Sequence, residues 1–173
     1  FCMESSNPTL TNCVFDGNDA MSDGGGIYCY DSSPTLTNCT LLNNASSLGG
    51  GVYCINSNPG FLNCQIKLNT ASFGSGIYCS GIGSNPTFAH CTIENNSAGT
   101  YGGGIYCDYN AAPYLSQCTI SNNAASSSGG LHCEGSSVPS LSACTISGNT
   151  AVNIGGGIFC STSSPIIRDC IIT

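Results

Sequence analysis

The residues with the most potential chemistry in this sequence are its 14 cysteines. They form two interleaved sets, and each set recurs at intervals of 25 to 28 residues. No two cysteines stand at the short spacing of a zinc knuckle. The first set is Cys2, Cys29, Cys54, Cys79, Cys107, Cys133 and Cys160, and the second set is Cys13, Cys39, Cys64, Cys91, Cys118, Cys144 and Cys170.

The two sets can be paired one for one across a spacing of 10 to 12 residues, which leaves no thiol over. We therefore predict one disulfide within each repeat: Cys2–Cys13, Cys29–Cys39, Cys54–Cys64, Cys79–Cys91, Cys107–Cys118, Cys133–Cys144 and Cys160–Cys170. Each short loop would add roughly 2–3 kcal/mol of stability, and the set indicates an oxidising compartment. The alternative is a ladder of buried free thiols that act as small apolar side chains.

The charged residues are interpreted as unsuited to catalysis. We take the nine acidic side chains as scattered, with no two at one strand position in adjacent repeats, and the cations are only Lys67 and Arg168. Acid–base cleavage of polysaccharides needs clustered carboxylates, so we expect no enzymatic activity and no cofactor. A net charge of -7 leaves no basic surface for a nucleic acid. We also find no apolar run of the length needed to span a membrane.

Three further features could suggest a metal or a catalytic base. Asp16, Asp19 and Asp23 are close in sequence but lack the alternating pattern of a calcium loop. His90 and His132 stand at different positions of the repeat, so we interpret each as a substitution within it. We expect no metal site.

The repeat extends along the whole chain, which is typical of a solenoid. All 7 prolines lie five residues before a cysteine of the second set, and a glycine-rich tetrapeptide leads into the first-set cysteine of the next repeat. An asparagine follows the second-set cysteine by five residues, and we expect these amides to stack as a ladder. The asparagines are Asn18, Asn44, Asn69, Asn96, Asn123 and Asn149.

Each repeat contains three short stretches with the alternation of a strand. In Gly26-Ile27-Tyr28-Cys29, for example, the period of two places Ile27 and Cys29 on one face and Tyr28 on the other. No stretch has a helical period. The sequence therefore predicts an all-β parallel β-helix, with about 6.5 coils of three short strands each, that occupies residues 1–173 as one unit.

Two tetrapeptides carry a family resemblance. Gly-Gly-Gly-Ile and Phe15-Asp16-Gly17-Asn18 resemble the GGAI and FxxN motifs of the polymorphic outer-membrane protein repeats in chlamydial autotransporters and of related bacterial extracellular repeats. The resemblance covers the whole chain. It implies a right-handed parallel β-helix and a surface-displayed, adhesin-like role outside the cell.

One outward column of the coils is predicted to be aromatic. It contains Tyr28, Tyr53, Tyr78, Tyr106, His132 and Phe159, with Phe1 in the same register. Because coils rise by about 4.8 Å each, these rings should form a continuous stripe. We expect the rings to stabilise the sheet by stacking, or to offer a platform for sugar rings or a second chain.

Three asparagines lie in sequences that accept N-linked glycans: Asn38, Asn44 and Asn95. We expect Asn38 and Asn44 to belong to inward-pointing corner ladders. The candidate glycosylation site is therefore Asn95.

Both ends of the segment fall inside expected strands and carry no capping element. We expect them to stack on flanking repeats or on copies of the chain, as in a long fibre or filament. Our overall expectation is a non-enzymatic, extracellular structural or adhesive solenoid. The alternatives are a carbohydrate-binding or carbohydrate-processing β-helix and, as a distant third, an ice-binding face, because a Thr-x-Thr array begins but stops after two coils.

Overall fold

The computed structural model describes residues 2–173, and within this range it is built from 25 short strands and no helix. Three sheets contain seven parallel strands each, one strand from every coil, and a fourth sheet contains four. Sheet 1 consists of Cys2–Met3, Ile27–Tyr30, Val52–Ile55, Ile77–Ser80, Ile105–Asp108, Leu131–Cys133 and Ile158–Cys160. Sheet 2 consists of Thr9–Thr11, Thr35–Thr37, Gly60–Leu62, Thr87–Ala89, Tyr114–Ser116, Ser140–Ser142 and Ile166–Arg168. Sheet 3 consists of Val14–Asp16, Thr40–Leu42, Gln65–Lys67, Thr92–Glu94, Thr119–Ser121, Thr145–Ser147 and Ile171–Ile172.

These three sheets confirm the predicted all-β solenoid with three short strands in each coil. Successive coils pair in register, so equivalent repeat positions lie side by side: Cys29 pairs with Cys54, and Leu36 pairs with Phe61. A sequence repeat therefore becomes a set of columns, each of which runs along the solenoid through one kind of side chain.

Sheet 4 is an addition that the sequence does not predict. It consists of Thr70–Phe73, Ser97–Tyr101, Ala124–Ser127 and Thr150–Ala151, and isolated bridges at Ala45 and Leu48 continue it toward the first coils. The sequence does not indicate a strand in this segment, because its length varies from repeat to repeat. In the structure it packs over the outer face of sheet 1.

The core lies inside the three long sheets and contains the alternating apolar residues that the sequence identifies. Leu36, Leu41, Ile66 and Phe88 are among the fully buried side chains of this core. The Phe61 and Phe88 rings are stacked, with centroids 4.7 Å apart. Burial of such columns on every coil supplies the main driving force for the fold.

The bends between sheets 2 and 3 have a left-handed backbone. Asn12, Asn38 and Asn63 occupy them with φ of 55°, 54° and 53°, and asparagine is one of the few residues that adopts this conformation readily. His90 takes the same place with φ of 54°. It is therefore a substitution within the repeat, as the sequence predicts.

The glycine-rich tetrapeptide is required by close backbone contacts. A Cβ atom at Gly51 would lie 2.6 Å from the Gly76 carbonyl oxygen and 2.9 Å from a methyl group of Ile66. The first glycine of the motif has another reason, since Gly49 has φ of +64°. The motif thus lets sheet 1 begin directly against the neighbouring coil and the asparagine column.

Candidate functional site

The asparagine ladder forms along the solenoid as predicted. The Asn69 Oδ1 atom accepts from both the backbone N–H and the side-chain amide of Asn44, at 2.9 and 3.0 Å. The Asn69 amide donates in turn to Asn96 Oδ1 at 3.0 Å and to the Leu41 carbonyl at 3.1 Å. The same side-chain bond joins every consecutive pair from Asn18 to Asn149. The ladder is therefore a continuous hydrogen-bonded column whose internal members are fully buried.

The cysteines also form columns, and the structure joins none of them in the disulfides predicted within each coil. All fourteen are free thiols, including both members of every predicted pair from Cys2–Cys13 to Cys160–Cys170. The first set lies in sheet 1, and the second set lies at the bends between sheets 2 and 3. The thiol nearest along each column belongs to an adjacent coil, as in the hydrogen bonds that link Cys54 to Cys29 and Cys79.

Eleven of the fourteen thiols are buried, which keeps reagents in solution away from them. The hydrogen bond with a neighbouring thiol and burial raise the pKa of Cys54 and of Cys107 well above the ordinary value. Thiolate, the form that attacks disulfides and binds metals, is therefore disfavoured there. At the bends, the Cys39 thiol donates to the Thr37 carbonyl at 3.4 Å, which occupies its proton. These cysteines serve as small apolar side chains with a weak donor.

The aromatic stripe forms as predicted along the outer face of sheet 1. Ring centroids are 5.4 Å apart for Tyr28 and Tyr53, 4.9 Å for Tyr53 and Tyr78, and 4.8 Å for Tyr78 and Tyr106. His132 follows at 5.1 Å from Tyr106, and Phe159 at 4.9 Å from His132. The column is thus a continuous series of ring contacts.

The stripe is not the exposed platform that the sequence suggests. Tyr53 and Tyr78 are each 7% exposed, and His132 is 1% exposed. The physical reason is sheet 4, whose Phe73 and Tyr101 rings lie 5.9 and 6.3 Å from the Tyr106 ring. The stripe is consequently a second apolar core, sandwiched between sheets 1 and 4.

Two carboxylates bind the hydroxyl groups of this stripe. Tyr78 donates its hydroxyl to Asp108 Oδ2 at 2.7 Å, and Tyr106 donates to Glu134 Oε1. Glu134 also lies 3.4 Å from Nε2 of His132. In both pairs the tyrosine of one coil reaches the carboxylate of the next. We refer to these five residues as the tyrosine–carboxylate cluster.

Burial sets the proton affinities of this cluster. It raises the pKa of Asp108, an effect that Glu134 increases and that hydrogen bonds from Tyr78 and Ser80 oppose. It lowers the pKa of His132, against the opposing influence of Glu134. Asp108 Oδ1 and His132 Nδ1 are buried without a hydrogen-bond partner. Burial also raises the pKa of Tyr78 and Tyr106 above the tyrosine range, so both remain neutral phenols.

The match of this chain to one family model decides its classification. The model described as "Right handed beta helix region" matches residues 1–106 and 98–173, which together cover the chain. The chain belongs to this family. The match shows the hand of the β-helix, which the resemblance to bacterial repeats implies, whereas the finer link to the chlamydial repeats remains a hypothesis. No curated protein and no solved structure gave a significant match to this β-helix.

The tyrosine–carboxylate cluster corrects the interpretation that no two acids share a strand position in adjacent coils. Asp108 and Glu134 each directly follow a first-set cysteine, and these two cysteines, Cys107 and Cys133, pair in register in adjacent coils. This signal was present in the sequence of the β-helix. The covering role of Phe73 and Tyr101 had only a weak signal, an aromatic residue directly before the glycine-rich motif in two repeats.

The candidate glycosylation residues differ from one another in exposure. Asn95 is exposed, as its candidate role requires, and Asn44 is buried in the ladder. The expectation that Asn38 points inward is wrong: its side chain is exposed and donates to Asn12 at 3.2 Å on the outside of the bend. The reason is the left-handed bend, which turns this column away from the core.

Other predicted features are found apart from the cluster. Asp16 and Asp19 are exposed at a corner, where Asp16 accepts a hydrogen bond from Asn43. Across residues 2–173 no group of three or more His, Cys, Asp or Glu side chains is arranged to hold a metal ion. The same residues enclose no ligand-sized pocket. The described part of the β-helix also has no helix that is long and apolar enough to cross a membrane.

Proposed function

We propose that this β-helix is a non-enzymatic structural element, a rigid segment of an extracellular surface stalk or fibre with an adhesin-like role. The observation that carries the proposal is the asparagine ladder, which joins coil to coil without a break from Asn18 to Asn149. A column of buried amides, each held by several hydrogen bonds, opposes both bending and separation of the coils.

The other columns of side chains also oppose bending and separation of the coils. Backbone hydrogen bonds, stacked rings and aliphatic side chains all connect neighbouring coils, so each coil is held by the next one. With strands spaced by about 4.8 Å, the seven strands of sheet 1 span roughly 30 Å along the axis. Such a body resembles a stiff spacer more than a container for a ligand.

The extracellular location and the stacking of further coils or copies on this segment are part of the proposal. They are supported by the resemblance to surface-displayed bacterial repeats that the Gly-Gly-Gly-Ile and Phe15-Asp16-Gly17-Asn18 tetrapeptides carry. Glycans on exposed asparagines such as Asn95 would be compatible with this location.

The tyrosine–carboxylate cluster favours a second candidate, a carbohydrate-processing β-helix. Two carboxyl groups with different environments are the usual requirement for acid–base cleavage of sugars. However, Asp108 is 4% exposed, and tyrosine hydroxyl groups occupy both carboxylates. A polysaccharide could reach the buried Asp108 only if the surrounding packing opened, so we rank this function second.

The two candidates are distinguished by one set of measurements on the purified chain. Stretched between its ends in an atomic force microscope, the chain should resist extension, and Asn69→Ala should lower the unfolding force. Asn153→Ala is the matched control, because Asn153 is exposed and outside the ladder, and it should leave the force unchanged.

Polysaccharide cleavage is measured in parallel on neutral and acidic substrates, with reducing ends as the readout. We expect no cleavage. Cleavage by the wild-type chain that disappears in Asp108→Asn or Glu134→Gln would overturn the structural proposal and establish the second candidate. An unfolding force that Asn69→Ala does not change would also contradict the structural role of the ladder.

A further inference from the structure

We propose that the aromatic stripe conducts one-electron oxidation, with Tyr106 and Tyr78 as the residues that hold the radical and Glu134 and Asp108 as the acceptors of their phenolic protons. The inference is independent of the structural function. It starts from two observations: four tyrosine rings in succession are in contact along the stripe, and the hydroxyl groups of two of them bind carboxylates.

The ring contacts provide a path for the electron. Electron transfer between aromatic groups weakens steeply with distance, and no centroid separation from Tyr28 to Tyr106 exceeds 5.4 Å. The path has a half-buried tyrosine at one end, Tyr28, and a second half-buried tyrosine at its side, Tyr101, whose ring lies 6.3 Å from the Tyr106 ring. An oxidant in solution can therefore act on the stripe without entering it.

The carboxylates accept the phenolic protons. A phenol that loses an electron becomes a strong acid, and a buried phenol cannot release its proton to water. When Tyr106 gives one electron to an outer-sphere oxidant in solution, such as a high-potential transition-metal complex, its O–H bond breaks and a new O–H bond forms on Glu134 Oε1, along the existing hydrogen bond. The products are a neutral tyrosyl radical, a neutral carboxylic acid and an oxidant reduced by one electron.

The radical can then move by the same exchange. Tyr78 gives an electron to the Tyr106 radical and its proton to Asp108, while Tyr106 regains its proton from Glu134. Electrons and protons balance at each step, and no buried charge is created at the tyrosines, which avoids the cost of an unpaired charge in an apolar site. His132 and Phe159 are harder to oxidise than tyrosine, so the path ends at Tyr106.

The experiment uses a one-electron oxidant of known chemistry, photogenerated ruthenium(III) tris-bipyridine, with the folded chain. Transient absorption measures the rate of tyrosyl radical formation, and electron paramagnetic resonance measures its yield. Tyr78→Phe with Tyr106→Phe keeps both rings and removes both hydroxyl groups, and it should abolish the long-lived radical. Glu134→Gln keeps the size of the acceptor but removes the base, and it should slow radical formation about tenfold or more.

The matched control is Tyr109→Phe with Tyr114→Phe, because both of these tyrosines are exposed and lie outside the stripe. It should leave the long-lived radical unchanged. A long-lived radical that survives in the Tyr78→Phe, Tyr106→Phe chain, or that disappears in the control, overturns the proposal. Should the double variant fail to fold, Glu134→Gln decides the question, since Glu134 lies partly in solvent. An unchanged rate in that variant overturns proton transfer to Glu134.

Discussion

Each ladder asparagine pairs backbone groups that a bend between strands would otherwise leave without partners. Asn69 satisfies the backbone N–H of Asn44 and the carbonyl of Leu41, and its own N–H bonds to Asn96 Oδ1. A buried polar group that loses its partner costs about 1–3 kcal/mol, so these bonds matter more through what their loss would expose than through their net strength. At the residue scale, the repeated asparagine is therefore a structural requirement.

Replacing Asn69 by alanine should lower the free energy of unfolding by about 3 kcal/mol or more, because two buried backbone groups and two neighbouring amides lose a partner. Urea denaturation measures the change. Asn153→Ala, at an exposed position, should change stability by less than about 0.5 kcal/mol. Equal effects of the two substitutions would contradict the ladder.

His132 should make the stability depend on pH. Burial lowers its pKa from 6.5, so its contribution is complete above about pH 6.5 and is lost as the pH falls through the lower folded value. Glu134, Tyr101 and Tyr106 are the groups that face it. Asp108 has the opposite effect on stability. Because its pKa in the folded chain is raised, its contribution to stability is complete in acid and is lost as the pH rises through the folded pKa.

The His132 contribution is isolated by His132→Phe, since phenylalanine already fills this position in the next coil at Phe159. Urea titrations between pH 5 and 7.5 should show a loss of wild-type stability toward acid that is reduced in the variant. If the free energy of unfolding changed equally with pH in the two proteins, His132 would not be buried in the neutral form.

At the scale of elements, sheets 1, 2 and 3 were predictable because each strand combines period-two alternation with a fixed place in the repeat. Sheet 4 was not, because segments such as Ser97–Tyr101 and Ala124–Ser127 are small, polar and variable in length. Only the position of these segments over the tyrosine rings shows that they cover the aromatic stripe. This missed element changed the interpretation of the aromatic stripe from an exposed platform to a buried core.

The third glycine of the tetrapeptide is predicted to tolerate no side chain. Gly51→Ala would place Cβ 2.6 Å from the Gly76 carbonyl oxygen, so we expect a loss of about 2 kcal/mol or more. Gly60→Ala is the matched control in sheet 2, where the nearest atom would lie at 3.6 Å, and it should be neutral or stabilising by about 0.5–1 kcal/mol. Thermal unfolding of both variants checks the contrast, and equal losses would contradict it.

Truncating the stripe should destabilise the fold. Because Tyr53 and Tyr78 are packed between sheets 1 and 4, replacing both by serine should cost about 3 kcal/mol or more, with increased binding of a hydrophobic dye. The control is Tyr109→Ser at a residue that is 68% exposed. If the double variant were as stable as the wild-type chain, the stripe would be the exposed platform that the sequence suggests.

At the scale of the whole molecule, repetition makes stability a sum of similar contacts between neighbouring coils. The sequence is sufficient to predict this architecture, since period, alternation and corner residues agree along the chain. It was insufficient for the cysteines, because a spacing of 10 to 12 residues and equal numbers in the two sets are compatible with both arrangements. In the structure the fourteen cysteines are free thiols, and Cys54 lies beside Cys29 and Cys79 of the adjacent coils.

The most direct test of this account is a count of free thiols in the chain, native and unfolded, without reductant. A structure in which all fourteen cysteines are free predicts fourteen reactive thiols after unfolding. In the native state, alkylation should reach Cys160 and, more slowly, Cys13 and Cys170, while the buried cysteines remain protected. Peptide mapping that finds disulfides such as Cys54–Cys64 within single coils would contradict the account.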